Sequence, residues 1–353
     1  MSITVNRLGR PFGAALALVL GMAALGVTGA TAEETPAASP QLELTTIRYL
    51  SSSGADVSPL ELADALGYLA PLKLERLGDV QGGPANLQSL ATGQTDIASA
   101  FNGAVLNIVA AGAPLTAVVS WRGTDEQTSP GIYVLENSGV ERARDLIGKS
   151  IGVNTLGANQ EAVSNIFLAK GGLSREEIKQ VTYVPLPTPN LEQALRNGQV
   201  AAVSLGFTFR DAALARGGIK ALVRNVDLLG VYSDNTGVLR SDFIEKNPNT
   251  TRHLVAGIAK AIAWAQERET DGKREEVVEV FRKYLVDNGR GDTTAPLDYW
   301  LGLGISTKGG WVRRSEFDMW IDWLDSRGEV DAKTLDVSKV YTNEFNPFWD
   351  GQE

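Results

Sequence analysis

One short pattern occurs twice in the chain and constrains the fold more than any other feature of the sequence. Gly93-Gln94-Thr95-Asp96-Ile97-Ala98-Ser99 returns 105 residues later as Gly198-Gln199-Val200-Ala201-Ala202-Val203-Ser204. Each copy has the pattern of a helix end, a Gly-Gln turn and a buried strand that ends in serine. A strand, loop and helix that begin near Ile47 have a counterpart at Ile151, offset by 104 residues. The repetition favours two lobes built alike, each contributing equivalent loops to one cleft.

Strand-like and helix-like segments alternate along the chain, which is typical of an α/β protein with mainly parallel sheets. The expected strands cover about 46–50, 72–77, 97–100, 115–120, 131–135, 150–153, 181–184, 201–205 and 237–239. Ser58-Pro59-Leu60-Glu61 predicts a helix start with a capping box. From Asn249 the pattern is helical. The aromatic residues that follow, Trp300, Trp311, Phe317, Trp320 and Trp323, are expected to pack in the core.

The first 32 residues predict a cleaved export signal. Arg7 and Arg10 precede an apolar run from Ala14 to Val27, and Ala30-Thr31-Ala32 gives small residues for cleavage after Ala32. The run is too short to span a bilayer, although a retained anchor is the alternative. Residues 33–43 predict a flexible N-terminus. The chain has no cysteine to carry a lipid, so we expect a periplasmic protein that is not a lipoprotein.

The charge of the chain argues against several partners. Without residues 1–32 it keeps 31 basic and 42 acidic residues, a formal charge of −11. Such a chain has no basic surface for nucleic acid, and no later segment is apolar enough for stable membrane insertion. Binding of an anion is still possible, because local dipoles govern a closed pocket. We expect a monomer.

The composition also excludes most catalytic chemistry. His253 is the only histidine and there is no cysteine, so thiolate–histidine catalysis and a Cys- or His-rich metal cluster are ruled out. No serine lies in a Gly-x-Ser-x-Gly turn, and no nucleotide-binding glycine pattern occurs. A carboxylate pair is the acid–base option that stays open. We predict no enzyme activity, no cofactor and no metal.

Several motifs in a fixed order resemble the sulfonate, nitrate and taurine solute-binding proteins of ABC transporters, and the resemblance covers about Thr46 to Asp336. The motifs are Leu87–Ile97, Val134–Val140 with Asp145–Lys149, Leu195–Val200 and Phe243–Pro248. The resemblance implies the type 2 periplasmic binding protein fold, in which two doubly wound α/β lobes are joined by a two-strand hinge around a ligand cleft. One lobe would comprise 44–130 plus 240–353 and the other 131–239, with crossings near 130–134 and 235–239.

Ligands of open α/β sheets sit beyond the carboxyl ends of the strands. The loops expected there are rich in small, hydroxyl, amide and aromatic residues, and two of them run into helix N-termini that can hold an oxyanion without arginine. The predicted donors to an anionic head group are Ser52, Ser53, Gln81, Asn102, Thr155, Asn159 and Thr208, with Gly82 and Asn235 in the same loops. Phe101, Trp121 and Phe207 are predicted to wall an apolar tail.

Four charged residues lie beside these loops. Arg122 and Arg210 either add charge to an anion site or form surface or hinge salt bridges, and the second is more frequent. Asp125 and Glu126, near Trp121, could instead recognise an amine, as a taurine-like zwitterion would need.

The predicted function is binding of a small organic anion and its delivery to an ABC transporter permease by hinge closure. Alkanesulfonate is the leading ligand, ahead of taurine, nitrate, aromatic carboxylates and thiamine-precursor pyrimidines. A cleft enzyme acting on a sulfur or nitrogen compound and a secreted ligand-presenting sensor component are the alternatives. Enzymes of this fold resemble the binders but depend on Cys or His.

Overall fold

The computed structural model describes residues 41–52 and 56–352. The predicted signal sequence, most of the predicted flexible N-terminus and Ser53 lie outside the described residues.

Strands and helices alternate along the described chain. The strands are β1 Thr46–Ser52, β2 Lys73–Val80, β3 Ile97–Phe101, β4 Leu115–Thr124, β5 Gly131–Leu135, β6 Ser150–Val153, β7 Thr182–Pro185, β8 Ala202–Leu205, β9 Ile219–Arg224 and β10 Tyr232–Arg240. The α-helices are α1 Pro59–Ala65, α2 Gly83–Ala91, α3 Asn102–Ala110, α4 Asn159–Lys170, α5 Arg175–Ile178, α6 Leu191–Arg196, α7 Phe207–Ala215, α8 Asn225–Leu229, α9 Ser241–Lys246, α10 Pro248–Thr270, α11 Arg274–Asp287, α12 Ser315–Asp318 and α13 Ile321–Ser326. The 3₁₀ helices are Ala143–Leu146, Thr188–Asn190, Gly291–Thr293, Ala295–Tyr299, Lys308–Gly310 and Val337–Lys339.

The strands form three sheets. One has the order β1-β2, the second β3-β10-β4 and the third β7-β6-β8-β5-β9. The third sheet uses only residues between 131 and 224. The sheet β1-β2 comes entirely before it in the chain, whereas β3-β10-β4 combines strands from before and after it. The chain therefore passes from one set of sheets to the other through 125–130 and returns through 225–231.

Helices cover both faces of the five-stranded sheet. Ile132 and Val134 of β5 pack with Ile151 and Val153 on one face, whereas Tyr133, between them in sequence, packs with Val203 on the other. Since neighbouring residues of a strand point to opposite faces, this alternation shows that both faces are buried, as in a doubly wound α/β fold.

An ion pair links the two smaller sheets. The Arg48 guanidinium on β1 donates to both carboxylate oxygens of Asp96, at 3.0 and 2.7 Å, and Asp96 immediately precedes β3. Beside this link, α10 and α11 bury Leu254, Ile258 and Phe281 against the first strand. The predicted core role of the tryptophans is confirmed for Trp300, Trp320 and Trp323, which are buried.

The two copies of the repeated motif adopt the same local geometry. Gly93 and Gly198 both have positive φ, 75° and 69°. Their N–H groups donate to Leu90 O at 2.9 Å and to Leu195 O at 3.0 Å, so each ends its helix in the same way. Only glycine adopts this backbone conformation without strain. The following strands are β3 and β8, as the sequence predicts.

The sheets are less parallel than the sequence predicts. β10 runs antiparallel to both β3 and β4, and β5 runs antiparallel to β8 and β9. β9 was not predicted at all, because Ile219–Arg224 lies at a sheet edge and mixes charged with apolar residues. The stretch predicted as strand 237–239 is the end of the longer β10.

The first described residues, 41–43, are held in place although the sequence predicts flexibility there. Glu43 accepts hydrogen bonds from the N–H groups of Asn249 and Thr250, at 3.2 and 2.8 Å, in the first turn of α10. These bonds hold the pKa of Glu43 below its usual range against the opposing effect of burial.

The helices of the described residues were also compared with the length and apolar character of a membrane span. None of them has both.

Glu269, near the end of α10, makes the stability of the protein depend on pH. Burial raises its pKa to about 7, with Asp125 adding to the effect and the N–H of Leu303, 3.1 Å away, opposing it. A carboxyl whose pKa is raised on folding stabilises the fold fully at low pH and loses that contribution as pH rises through the folded-state pKa. We therefore expect the stability of Glu269→Gln relative to wild type to increase from pH 4.5 to pH 8, by about 3 kcal/mol. Urea unfolding at both pH values measures this, with exposed Glu267→Gln as the control. If the difference in stability between Glu269→Gln and wild type does not change with pH, the pKa of Glu269 is not raised on folding.

Candidate ligand-binding cavity

The ends of several strands meet around a cavity of about 190 Å³. One wall comes from residues before 131 and after 231, including the ends of β1, β2 and β3. The opposite wall comes from the loops that follow β6 and β8, at Asn154 and Gly206. The volume is below the roughly 300–1,000 Å³ of pockets for drug-sized molecules, so it suits a compact solute.

Four helices of nine or more residues begin at this cavity. The cavity is lined by Gly82 and Gly83 at the start of α2, Phe101 before α3, Asn159 of α4 and Phe207 of α7. None of the four N-cap residues accepts a hydrogen bond through its side chain. A helix start carries about half a positive charge and free N–H groups. The cavity therefore offers several N–H donors suited to an oxyanion.

Eight of the twelve residues predicted from the sequence line the cavity. They are Gln81, Gly82, Phe101, Trp121, Asn159, Phe207, Thr208 and Asn235. They come together because strand ends of both walls face the same space. Their role in binding stays a prediction.

The other four predicted residues lie elsewhere or are not described. Asn102 is fully buried behind the cavity, where its amide donates to Ser233 O at 3.0 Å and Glu316 O at 3.1 Å. Thr155 stands next to Gly82 at the rim rather than in the lining. Ser52 is the last residue of β1, and Ser53 lies outside the described residues.

The aromatic residues of the cavity differ in how they are held. The ring of Phe101 packs edge-on against Trp320, with centroids 4.6 Å apart. Phe207 has a positive φ of 52°, an uncommon conformation for a bulky side chain. Its ring lies 4.1 Å from the Arg122 guanidinium carbon, a cation–π contact between opposite walls that offsets part of the strain.

The four charged residues beside the predicted loops have structural partners. Arg122 lines the cavity and donates to Asp56 at 2.7 Å. Arg210 is buried and donates to the backbone oxygens of Gln127 and Ser129, so it anchors α7 to the connecting segment. Asp125 accepts from Gln127 N and Thr128 N. Glu126 pairs with Arg224 at 3.2 Å. Only Arg122 of the four lines the cavity.

Sequence reasoning missed a buried network on the first wall. Glu61 is only 2% exposed. It accepts hydrogen bonds from Tyr49 Oη at 2.8 Å, Ser51 Oγ at 3.0 Å and Arg290 at 2.6 Å. The predicted capping box is thus wrong, because Glu61 turns to these partners and the Ser58 side chain caps nothing. No local pattern pointed to Arg290, which reaches the cavity from beyond α11.

Asp234 is the second residue that sequence reasoning missed. It lies on β10, lines the cavity and is 3% exposed. Burial raises its pKa to about 7; Arg122 opposes this shift, and Glu316 and Asp56 add to it. Its Oδ1 has no hydrogen-bond partner among the described residues. No group of three or more His, Asp or Glu residues in the described ranges could hold a metal ion.

The two walls approach closely at one point. Gln81 donates to Asn154 O at 3.4 Å, and a Cβ placed on Gly82 would lie 2.6 Å from Thr155 Cγ2. Gly82 also has a φ of 80°. Glycine is needed here for both reasons.

The sheets lie on either side of a cavity large enough for a small ligand. This arrangement is that of the periplasmic binding protein fold. The sequence agrees, since residues 55–270 match the family model described as NMT1/THI5 like, and the chain belongs to that family. No protein of curated function matches the chain by sequence.

Several solved structures share this fold at low sequence identity. The aliphatic sulphonate-binding protein SsuA of Escherichia coli is 20% identical, with a TM-score of 0.63 over 88% of this chain and 95% of that one. The nitrate-binding protein NrtA of Synechocystis is 15% identical, with a TM-score of 0.67 over 87% and 88%. The desulfurization enzyme DSZB is 15% identical, with a TM-score of 0.57 over 86% and 97%.

Gly82→Ala should push the two walls apart. Its methyl group would overlap Thr155, so the segments 81–83 and 154–158 must separate, and we expect a larger radius of gyration by small-angle X-ray scattering. Gly139→Ala is the matched control, because Gly139 has a φ of 70° but open space around it. Both glycines have positive φ, so each variant carries a backbone cost of about 1–3 kcal/mol. Equal radii of gyration for both variants would refute this role for Gly82.

Proposed function

We propose that this chain is the extracytoplasmic solute-binding component of an ABC importer, and that its cavity holds a small organic anion, with alkanesulfonate as the leading class. The observation that carries the proposal is the set of four uncapped helix starts at the cavity. Their N–H groups and dipoles favour an oxyanion there. The fold shared with sulphonate-binding and nitrate-binding proteins supports the same class of ligand.

Neutral donors add to the helix starts. The Asn159 side-chain nitrogen is buried beside the Tyr232 hydroxyl, and it meets the distance and angle of a hydrogen bond neither with that hydroxyl nor with another described residue. A buried donor of this kind is costly unless a partner satisfies it. A ligand oxygen at the start of α4 would be such a partner.

Binding would act by hinge closure. Because β10 pairs with β3 and β4, we place one lobe at 44–130 plus 232–353 and the other at 131–231. The second crossing then lies before β10 rather than at 235–239, and the connecting segments 125–130 and 225–231 are the flexible points. Contacts between the walls support a closed arrangement: Arg122 lies over Phe207, and Arg327 pairs with Glu161 at 2.5 Å. A ligand that touches both walls stabilises this form, which the permease would recognise. The protein would act as a monomer in the periplasm after cleavage behind Ala32.

An enzyme is the second candidate function, favoured by the fold shared with DSZB. The chain has no cysteine. His253, on α10, bonds to Leu69 O at 3.0 Å and does not line the cavity. The cavity residues therefore support binding over thiol or imidazole catalysis.

The two candidates differ in what happens to the ligand. We expect an anion from a panel of sulfonates, nitrate, carboxylates and pyrimidines to raise the melting temperature. At a ligand concentration 100 times Kd, stabilisation should be about 2.7 kcal/mol. Mass spectrometry after long incubation should then recover that ligand unchanged. A time-dependent product that needs the protein would reject the binding function in favour of the enzyme.

Asn159→Ala should weaken binding of the best ligand in that panel about tenfold, the value of one buried hydrogen bond to an anion. Asn165→Ala is the control on the same helix, because its amide donates to Glu161 O within α4. Isothermal titration calorimetry of both variants gives the comparison. If Asn159→Ala and Asn165→Ala bind the ligand with equal affinity, Asn159 does not contact the ligand.

A further inference from the structure

Trp121 is the extra residue of a β-bulge at the cavity. Ser120 of β4 pairs with Thr236 of β10. The next pair along the ladder joins Arg122 to Asn235, which leaves Trp121 without a partner on β10. A bulge of this kind redirects the side chain of its extra residue. Because Trp121 lines the cavity, the bulge determines where that part of the wall lies.

The indole ring of Trp121 rests on a residue of β10 that has no side chain. A Cβ placed on Gly237 would lie 2.8 Å from Trp121 Cε3 and 3.0 Å from Cζ3. Trp121 belongs to the cavity lining, whereas Gly237 does not. The ring therefore lies between Gly237 and the cavity, and the missing side chain lets it approach the strand closely.

The strand that carries Trp121 is held in place on both sides of the bulge. After the bulge, a Cβ on Gly123 would overlap Gly304 O. Before the bulge, a Cβ on Gly310 would lie 3.0 Å from Ser120 O. The same later segment of the chain thus packs closely against β4 at both points. A side chain added beneath the ring would therefore displace the ring rather than the strand.

We propose that Gly237 and Trp121 together set the longest apolar tail that the cavity admits. Glycine at position 237 keeps the indole ring close to β10, and the position of the ring fixes the space that is left for the tail. This inference rests on the proposed function, in which a small organic anion binds at the helix starts. It adds the residues that limit the length of that anion.

Gly237→Ala should shorten the admitted tail by about one methylene. Gly237 lies in a strand and is not among the glycines with positive φ, so alanine fits its backbone. The ring must move by about 1 Å to restore a normal carbon–carbon contact of about 3.5–4.0 Å. That movement is close to the length that one methylene adds to an alkyl chain. Each methylene that stays buried should raise the affinity about fourfold, so the loss of one is measurable.

The test measures affinity against chain length by isothermal titration calorimetry. The probes are the linear sulfonates from methanesulfonate to octanesulfonate and the linear carboxylates from acetate to octanoate. The readout is the length limit, which is the chain length beyond which a further methylene no longer tightens binding. We expect a shorter limit in Gly237→Ala than in wild type, and a longer one in Trp121→Leu. The double variant should match Trp121→Leu, because the added methyl group then has no ring to displace.

Gly152→Ala is the matched control. Gly152 lies in β6 and outside the cavity lining, and a Cβ there would lie 3.1 Å from both Leu191 Cδ2 and Val203 Cγ1. The variant adds the same methyl group to a crowded strand position, so it should keep the wild-type length limit. If it shortens the limit as much as Gly237→Ala does, the limit reports general loosening of the protein and the inference is wrong.

Other results overturn the inference in distinguishable ways. It is wrong if Gly237→Ala keeps the wild-type limit, or if that substitution shortens the limit equally when the Trp121 ring is absent. Should Gly237→Ala fail to fold, Trp121→Leu decides, and an unchanged limit refutes the inference. If wild type binds an anion with an affinity that does not rise with chain length, the inference fails and the anion-binding function stands. If no sulfonate, carboxylate, nitrate or pyrimidine binds, the proposed function fails as well.

Discussion

The cavity depends on a single strand that is hydrogen-bonded along both edges. β10 lies between β3 and β4, antiparallel to each, and carries Asp234 and Asn235 to the cavity. Two strand ladders fix its backbone, so these side chains start from a rigid base. Gly237 permits the arrangement, because a Cβ there would lie 2.8 Å from the Trp121 ring. The position of Trp121 in the cavity wall follows from that missing side chain.

Local dipoles, not net charge, make an acidic chain suitable for an anion. The formal charge is −9 over the whole sequence, and both cavity arginines are neutralised by carboxylates. What remains for a ligand is mostly neutral: backbone N–H groups of helix starts and side-chain amides. Removing water from such donors costs less free energy than removing it from a charged group, because they carry no full charge. They select by geometry rather than by charge alone.

Sequence patterns predicted the parts of the cavity that depend on strand ends. Because the ends of several strands meet at one edge, residues such as Gln81, Trp121 and Asn159 could be placed together without coordinates. Patterns failed where tertiary contacts override local chemistry. Glu61 matches a capping box but is drawn into a buried network with Tyr49 and Arg290. Arg290 is distant in sequence and has no local signal.

The repeat explains why the site is symmetric in one respect and not in another. Each half supplies two helix starts, α2 and α3 from the first and α4 and α7 from the second, but at the offset of 104 only α3 and α7 are equivalent, because α4 corresponds to α1 and α2 to α6. The charged residues are not repeated: at the offset of 104, Asp56 and Glu61 correspond to Gln160 and Asn165. Asp234 lies on the crossing strand, which belongs to neither copy. The repeat thus accounts for the equivalent helix starts α3 and α7, which under the proposed function would favour any oxyanion. Discrimination among anions falls to the unrepeated residues, because only these differ between the two walls.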